Sequence, residues 1–439
     1  ELLAGVRCVD GMHLARGLAR AAPRSRRCYS LLSTRLAPRL RATPLRSRFA
    51  PQHSTIAAPA EVAATTGDAA IAAWLFGCAG MVCSMVVVGG LTRLTHSGLS
   101  MVKWKPQGGL PPASREDWAV EFELYKTFPE WKLSDKLMTL SEFKGIYLLE
   151  WAHRMLGRTI GVAFAVPLAY FVARRRIGAP LARRLGVMFT LGGAQGAIGW
   201  WMVRSGLHEK TMTVTEKGTA HVHPRRLATH LSMAFLLYTL LLDTALGQMP
   251  SSAAAAAARG AHFDAMLKAL PEASASAARA AARNVRMGAI VVSGSVATTI
   301  VFGAFVAGND AGHAFNDWPM YAERWFPEGA FELTPLYRNI YDNSGLCQFC
   351  HRSAAYFTVA GAGAVAYAAN SGAAAAALPL TCRRFAAALG FAALAQASMG
   401  VATLMLYVPI PLAAAHQAGS VVVWTCALGV VRSLRFLPK

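Results

Sequence analysis

The sequence is poor in charge, and acidic residues are especially scarce. Only 15% of the 439 residues are charged, with 23 Asp and Glu against 44 Lys and Arg, while 54% are hydrophobic. This balance excludes an ordinary soluble domain and is typical of a chain with several membrane spans. The net charge of +21 does not indicate nucleic-acid binding, because the arginines are concentrated in the first fifty residues and in short segments between apolar stretches. We expect a lipid bilayer as partner and no nucleic acid.

The first fifty residues lack acids almost completely. They contain eleven arginines, but only Glu1 and Asp10 are acidic. A segment rich in Arg, Ser and Ala is typical of an organelle presequence, so residues 1–65 are predicted to be a presequence outside the folded part of the chain. A chloroplast transit peptide has a similar composition, and only the function inferred below favours mitochondria.

The eight cysteines do not have the spacing of a small disulfide-rich domain. Cys78, Cys83 and Cys426 lie in apolar runs, where small buried hydrophobic residues are expected, but Cys347 and Cys350 form a C-x-x-C-H motif with His351. That motif is typical of covalent c-type haem attachment. A thioether bond, a disulfide and two unlinked thiols all stay open at this point.

Eight apolar segments are long enough for a helix to cross a hydrocarbon core, which takes about 20 residues. We place them at residues 69–91, 145–173, 185–203, 227–246, 287–307, 348–369, 385–406 and 412–431. The apolar part of the second segment alone is too short. This helix must therefore begin earlier, and it carries Glu150, His153 and Arg154 to the membrane edge.

Basic residues indicate the orientation of these spans. The short link between the second and third spans carries Arg174, Arg175 and Arg176, and later spans are flanked by arginines on the same side. Two longer loops, residues 95–144 and 309–347, are mixed or acidic and lie on the other side. The positive-inside rule predicts that both termini face the matrix.

The chain repeats itself. An alanine-rich linker, residues 248–284, joins residues 66–247 to residues 285–439, and the two halves share matched motifs. The matches are Gly89, Gly98 and Trp104 with Gly303, Gly312 and Trp318, EWAHR at 150–154 with QFCHR at 348–352, and LATH at 227–230 with AAAH at 413–416. The predicted fold is an all-α membrane protein whose eight transmembrane helices form two pseudo-symmetric four-helix bundles.

Histidine inside an apolar span is costly, which makes a functional role with a partner the first hypothesis. The repeat supplies two equivalent pairs, His153 with His230 and His351 with His416. Two imidazoles that face each other across a bundle can ligate a haem iron from both sides. Alternatively, each histidine bonds a neighbour at a helix end, or Glu150 and His153 belong to a zinc site, which usually needs three or four close ligands.

The two histidine pairs differ in one neighbouring residue. Glu150 lies three residues before His153 and shares its helical face, whereas Gln348 stands in the matching place before His351. A carboxylate beside one haem and an amide beside the other indicate two sites with different tasks. Glu150 could instead be an interfacial residue that pairs with a nearby Arg or Lys.

Four arginines lie near the same surface: Arg93, Arg154, Arg158 and Arg352. Guanidinium matches a carboxylate in two-point geometry, so these side chains could pair with haem propionates. They could equally be snorkelling anchors at the membrane edge, and both interpretations stay open.

Three motifs carry a resemblance to a known family. They are GGLTRLTHSGLS at residues 89–100, EWAHRMLGR at residues 150–158 and VATLMLYVPIPLAAAHQAGS at residues 401–420. Together they resemble mitochondrial haem A synthases, and the similarity runs from about residue 69 to the end of the chain. The chain departs from the family pattern at Cys350, where mitochondrial relatives often carry Asp.

The resemblance implies an enzyme of the mitochondrial inner membrane that oxidises a ring methyl group of haem O to the formyl group of haem A, for cytochrome c oxidase. It implies a haem b held by His351 and His416, and substrate haem O held by His153 and His230 beside Glu150 as the catalytic carboxylate. The implied partners are the enzyme that makes haem O and an electron donor that the sequence does not identify. A homo-oligomer is neither required nor excluded.

Two other functions share some of these features. A bis-histidine membrane cytochrome that only transfers electrons would need no difference between Glu150 and Gln348. A transporter with repeated halves predicts broken helices and polar groups in mid-membrane. Here the polar residues are concentrated near one surface instead.

Overall fold

A computed structural model describes residues 67–133, 137–209, 212–214 and 220–437. The predicted presequence, residues 1–65, lies outside the described residues. All described residues belong to one compact unit, Glu61–Lys439.

The described part of the chain is dominated by helices. They are α1 (Ala69–Leu94), α2 (Arg115–Lys126), α3 (Pro129–Lys132), α4 (Leu140–Ala173), α5 (Ala179–Gly206), α6 (Pro224–Gly247), α7 (Ser252–Ala269), α8 (Glu272–Gly308), α9 (Asn339–Asp342), α10 (Ser344–Asn370), α11 (Gly372–Ala377), α12 (Leu380–Met405) and α13 (Ile410–Ser433). Two short strands, β1 (Thr213–Val214) and β2 (Ala220–His221), pair antiparallel with Thr213 opposite His221. Short 3₁₀ helices occur at Ala311–His313 and Leu336–Arg338.

Within the described ranges, six helices are long and apolar enough to cross a membrane: α1, α4, α6, α8, α12 and α13. They coincide with six of the eight predicted spans, which confirms an all-α membrane protein. The remaining two predicted spans, residues 185–203 and 348–369, are helical as α5 and α10 but are not among these six.

Helix α4 begins well ahead of its apolar stretch, as the sequence predicts. A capping box starts it: the Glu142 amide donates to the Thr139 hydroxyl at 3.3 Å, and the Thr139 amide donates to the Glu142 carboxylate at 2.7 Å. At 1.5 Å per residue, its 34 residues extend about 51 Å, against about 30 Å for a hydrocarbon core. The turns that precede the apolar stretch therefore bring Glu150 and His153 toward one end of the bundle.

The long helices pack in two sets. In the first set α1 contacts α4 and α6, and α5 contacts α6; its buried side chains include Ile71, Leu75, Phe164, Leu185 and Phe235. In the second set α8 contacts α10 and α13, and α12 contacts α10 and α13; its buried side chains include Val285, Ala289, Val365, Leu389 and Val430. Close van der Waals packing of this kind is what holds membrane helices together.

Two hydrogen bonds join α6 to α13, and in each of them an aromatic side chain of one helix bonds a threonine of the other. The Tyr238 hydroxyl lies 2.7 Å from the Thr425 hydroxyl, and the Trp424 indole donates to the Thr239 hydroxyl at 2.8 Å. Counted from His230 and His416, Tyr238 and Trp424 occupy matching positions, and so do Thr239 and Thr425. The two sets of helices thus meet through the same kind of contact made in both directions.

The loop between α1 and α4 folds back onto the start of α4. Buried aromatic side chains hold it there: Trp118, Phe122, Tyr125, Phe143 and Tyr147. Several of these rings meet edge to face, a favoured aromatic geometry. This packing brings the short helix α3 next to the part of α4 that carries Glu150.

Residues 248–284, predicted as a linker, are largely helical. They form α7 and the first part of α8, which begins at Glu272 rather than at the predicted residue 287. Alanine has the highest helix propensity, so the alanine-rich stretch extends α8 beyond its apolar part. Phe263 and Leu267 of α7 are buried in the core of the second set.

Candidate functional site

A cavity of about 1570 Å³ lies among the long helices, and both sets of helices line it. Its wall contains Glu150 and the four histidines that the sequence analysis singles out, His153, His230, His351 and His416. His153 and His230 lie within electrostatic range of each other, and so do His351 and His416. The structure therefore brings each predicted pair together at one cavity.

In the second set, each histidine packs against a glycine of a neighbouring helix. A Cβ added to Gly303 would lie 3.0 Å from Cε1 of His351, and one added to Gly400 would lie 2.8 Å from Cε1 of His416. Real Cβ atoms essentially never approach a neighbour as closely as the second value. Glycine is thus the residue that lets each imidazole edge reach the backbone of the facing helix.

The first set repeats this arrangement. A Cβ added to Gly199 would lie 3.0 Å from Cε1 of His230, and one added to Gly89 would lie 3.3 Å from Nε2 of His153. His153 thus presents the other edge of its ring. A half-turn about its Cβ–Cγ bond would exchange Nε2 with Cε1 and give the orientation of the other three rings.

One histidine has a hydrogen bond that decides its tautomer. Nδ1 of His351 lies 2.9 Å from the carbonyl oxygen of Thr299, one helical turn before Gly303. A carbonyl oxygen can only accept, so Nδ1 carries the hydrogen and Nε2 keeps a lone pair for a metal. An anchor of this kind is typical of a metal-ligating histidine.

Two glutamines at matching positions donate hydrogen bonds to the backbone of the helices that carry His230 and His416. Gln195 Nε2 donates to the backbone oxygen of His230 at 3.1 Å, and Gln396 Nε2 donates to that of His416 at 2.6 Å. Both lie four residues before a glycine that faces a histidine. The sequence analysis missed Gln195, Gln396, Gly199 and Gly400, although a comparison of the two halves over residues 195–199 and 396–400 would have found them.

The site suits a haem iron better than zinc. Among the residues that the structure describes, no group of three or more His, Cys, Asp or Glu side chains could hold a metal ion. The Nδ1 atom of His230 is buried without a partner, which leaves Nε2 as the nitrogen that can face the cavity. Paired neutral imidazoles between helices are a usual way to hold a porphyrin.

Glu150 is buried beside His153, and Arg154 holds it in place. Arg154 Nε donates to Glu150 Oε1 at 2.6 Å, and the same guanidinium donates to the carbonyl oxygens of Met101 and Lys103. The loop thereby fixes Arg154, and Arg154 fixes one carboxylate oxygen. The other oxygen, Oε2, can take or give a proton.

The second set contains the same arrangement with an amide. Arg352 donates to Gln348 Oε1 at 2.6 Å and to the carbonyl oxygens of Phe315 and Met320. Met101 and Phe315 are separated by the same number of residues as Trp104 and Trp318, so they occupy matching positions in the two halves. The two sites therefore share their framework and differ at the group that Arg154 or Arg352 holds.

Arg93 joins the two sets of helices. Its guanidinium donates to Ala307 O at 2.6 Å, to Asp310 Oδ1 at 2.9 Å and to His221 Nδ1 at 3.0 Å. Burial, reinforced by Arg93, lowers the pKa of His221 to about 3, so this imidazole is neutral at pH 7. Burial opposes ionisation of Asp310, but Arg93 and the nearby histidines still hold the pKa of Asp310 below its usual range.

The four predicted arginines all line the cavity, but they differ in whether their Nε atoms have a hydrogen-bond partner. Arg158 donates to the carbonyl oxygens of Lys105 and Pro106, and Nε of Arg154 is bonded to Glu150. In contrast, the Nε atoms of Arg93 and Arg352 are buried without a partner. Both nevertheless have partners through their other nitrogens: Arg93 pairs with Asp310, and Arg352 donates to Gln348.

Cys347 and Cys350 are free thiols and do not line the cavity. The Cys347 thiol is fully buried, donates to Ile340 O at 3.4 Å and accepts from Asn309 Nδ2 at 3.6 Å. A thioether bond to a haem in this cavity would require Cys347 to leave these contacts.

Glu130 is a second buried acid of the cavity wall, and the sequence analysis missed it. It is 9% exposed, and the Tyr125 hydroxyl donates to its Oε2 at 3.2 Å. Burial raises the pKa of Glu130 to about 8; Tyr125 and Arg93 reduce this effect and Glu150 adds to it. Its place depends on the folding of a distant loop onto α4, which no local sequence pattern reveals.

We expect Gly400→Ala to weaken haem binding by the His351 and His416 pair. The added methyl group would displace the His416 ring, and lost support of a ligand typically lowers metal affinity about 10- to 100-fold. Haem content per purified protein, measured by absorbance, checks this. The matched control is Gly294→Ala on α8, where the added methyl group meets nothing within 4 Å; equal haem content in both variants would refute the role of the glycine.

We expect Glu130→Gln to flatten the pH dependence of stability. Because its pKa is raised from 4.5 to about 8, the folded protein holds more protons than the unfolded chain in this window, so stability falls as the pH rises. The loss is at most about 1.4 kcal/mol per pH unit. Thermal unfolding in detergent at pH 5 and pH 8 should show a smaller decrease for the variant than for the wild type.

The control for that experiment is Glu123→Gln, which alters an exposed carboxylate of the same loop. It should keep the wild-type pH dependence. Parallel loss of stability in Glu130→Gln and the wild type would show that the Glu130 carboxyl group does not titrate as the structure indicates.

The chain is similar to known proteins of one family. The family model COX15-CtaA, cytochrome oxidase assembly protein, matches residues 72–428. Heme A synthase COX15 of Arabidopsis thaliana is 42% identical over 366 residues, which cover 82% of this chain and 74% of the relative. Heme A synthase COX15 of Homo sapiens is 36% identical over 435 residues, which cover 95% of this chain and 97% of the relative.

A bacterial relative, the heme A synthase of Parvibaculum lavamentivorans, is 41% identical over 366 residues, which cover 83% of this chain and 94% of the relative. No solved structure matches the chain significantly. The match of the family model over most of the sequence, together with relatives of this similarity and coverage, shows that the chain belongs to the COX15-CtaA family of cytochrome oxidase assembly proteins.

Proposed function

We propose that this protein is a haem A synthase, which oxidises a ring methyl group of haem O to the formyl group of haem A. Three of its relatives carry that name. The observation that carries the proposal is the difference between two otherwise matched sites. A buried carboxylate, Glu150, stands beside one histidine pair, and an amide, Gln348, stands beside the other.

In this proposal the two histidine pairs have separate tasks. His351 and His416 hold a resident haem b, which the anchored tautomer of His351 supports. His153 and His230 hold substrate haem O next to Glu150. The arginines that line the cavity, Arg93, Arg154, Arg158 and Arg352, are candidates to pair with the haem propionates.

The methyl group of haem O is unactivated, so bound haem iron supplies the oxidising chemistry when the sites are loaded. The side chains around it orient the substrate and move protons. Arg154 holds Oε1 of Glu150 and so directs Oε2 to one place in the cavity. There Glu150 accepts a proton that leaves the substrate, or stabilises positive charge next to the ring.

We also propose the predicted architecture: eight spans in two pseudo-symmetric bundles, residues 66–247 and 285–439, joined by residues 248–284. The exchanged contacts of Tyr238 and Trp424, and the repeated pairing of glycine with histidine, support it. The protein would lie in the mitochondrial inner membrane with both termini in the matrix. Its partners would be the enzyme that makes haem O and an electron donor, with self-association left open.

We expect Glu150→Gln to retain haem but to form little haem A. Gln348 already holds an amide in the matching environment, so the shape is tolerated, whereas the loss of a proton-transferring group typically costs about 10²- to 10⁴-fold in rate. Extraction of pigments from the purified protein, followed by chromatography, should show haem b with unconverted haem O or its hydroxylated form.

The matched control is Glu142→Gln, in the first turn of the same helix, where glutamine can still complete the capping box. It should form haem A at the wild-type level. A normal yield of haem A from Glu150→Gln would refute the catalytic role of the carboxylate.

A further inference from the structure

Four glycines of α4 and α5 border open space: Gly161, Gly192, Gly193 and Gly196. A Cβ added to any of them would meet no heavy atom within 4 Å. All four line the cavity that holds the histidines. Rows of small residues usually let membrane helices approach closely, but here they face an opening, which we call the α4–α5 gap.

The α4–α5 gap reaches the outer surface of the protein. Val162 and Val166 of α4 and Phe189 of α5 line the cavity although they are 60%, 63% and 54% exposed. All three side chains are apolar; α4 is one of the six helices that can cross a membrane, and α5 is a span of the proposed architecture. The cavity is therefore open sideways, toward lipid, on the side of His153 and His230.

The matching helices beside the other histidine pair, α10 and α12, differ in sequence and in packing. At the positions that match Gly161, Gly193 and Gly196, the second set carries Val359, Leu394 and Ala397. The seam between α10 and α12, the helices that carry these residues, has far more extensive contacts than the seam between α4 and α5.

One pair of matching residues, Gly390 of α12 and Phe189 of α5, helps to explain why α10 and α12 lie closer together than α4 and α5. A Cβ added to Gly390 of α12 would lie 3.0 Å from the Cβ of Ala366 on α10, so these helices touch where Gly390 has no side chain. The residue of α5 that matches Gly390 is Phe189, which is bulky and exposed. In the second set, Gly390 lets α12 touch α10. In the first set, the glycines of α4 and α5 instead border the gap.

We propose that the α4–α5 gap is a lateral entrance through which haem O reaches His153 and His230 from the bilayer, and that its apolar walls hold the isoprenoid side chain of this substrate. This inference rests on the proposed function for the identity of the substrate. Haem O combines anionic propionates with a long hydrocarbon chain. The cavity offers a matching polarity, with Arg93 and Arg154 in one part of its wall and the apolar gap in another.

The closer packing of α10 and α12 agrees with the proposed content of the second set. A resident haem b has no isoprenoid chain and does not need to exchange with the membrane during turnover. The difference between glycine in one half and Val, Leu or Ala in the other is therefore a difference between a substrate site and a cofactor site. The gap would determine specificity for a haem that bears a long apolar substituent.

The test fills the gap with the residues of the other half, in the triple variant G161V/G193L/G196A of the full chain. Because an added Cβ meets nothing at these positions, the helices should still fold. We expect the ratio of haem O plus haem A to haem b in the purified protein to fall about tenfold or more, since overfilling a site of this kind excludes its ligand. The haem b content should stay at one per chain, because the substitutions lie on α4 and α5 and leave His351 and His416 unchanged.

The matched control is G77V/G294L/G363A, which adds the same atoms at glycines that also face open space and do not line the cavity. It should keep the wild-type ratio. An unchanged ratio in the gap variant would overturn the proposal.

If the triple variant also loses haem b, the single variants G161V and G193L decide the matter. Each should lower the ratio while haem b is retained, and an unchanged ratio in both would contradict the proposal. Failure of the proposed function would appear separately, as a wild-type protein that forms no haem A. The binding of added haem O by the wild type and the gap variant would then still report whether the gap admits it.

Discussion

The whole arrangement depends on four imidazoles held between helices at one cavity. A polar ring in an apolar bundle is expensive unless its nitrogens have partners. The fold places a glycine opposite each ring, so that the ring edge approaches the backbone of the facing helix. For His351 this approach also gives Nδ1 a partner, the carbonyl oxygen of Thr299. The fold leaves the cavity side of each ring for a metal. The choice of glycine at these four positions follows from this constraint.

The two halves use one framework, and their differences carry the functional distinction. Arg154 and Arg352 are held by equivalent loop carbonyls, but one orients a carboxylate and the other an amide. The helices α4 and α5 contact each other much less than α10 and α12 do. Both differences fall on the same side, that of His153 and His230. An acid for proton transfer and a way in from lipid are the two features that a substrate site needs and a cofactor site does not.

Sequence patterns were most informative where the signal is local or repeated. Hydropathy located the six clearly apolar spans, and the matched motifs around His153 and His351 identified the ligand candidates. The start of α8 was missed because alanine-rich segments are strongly helical without being apolar enough to resemble a span. Glu130 and the contact of Arg93 with Asp310 could not be found, since they depend on loops that return to the bundle from distant positions.

The central claim is that each histidine pair binds one haem iron from both sides. The most direct test is low-temperature electron paramagnetic resonance of the oxidised full chain, purified with its haems. The wild type should give two distinct low-spin signals of bis-imidazole type, His416→Ala should remove one of them, and His230→Ala should remove the other. The disappearance of both signals in either variant, or the survival of both, would contradict two independent histidine clamps.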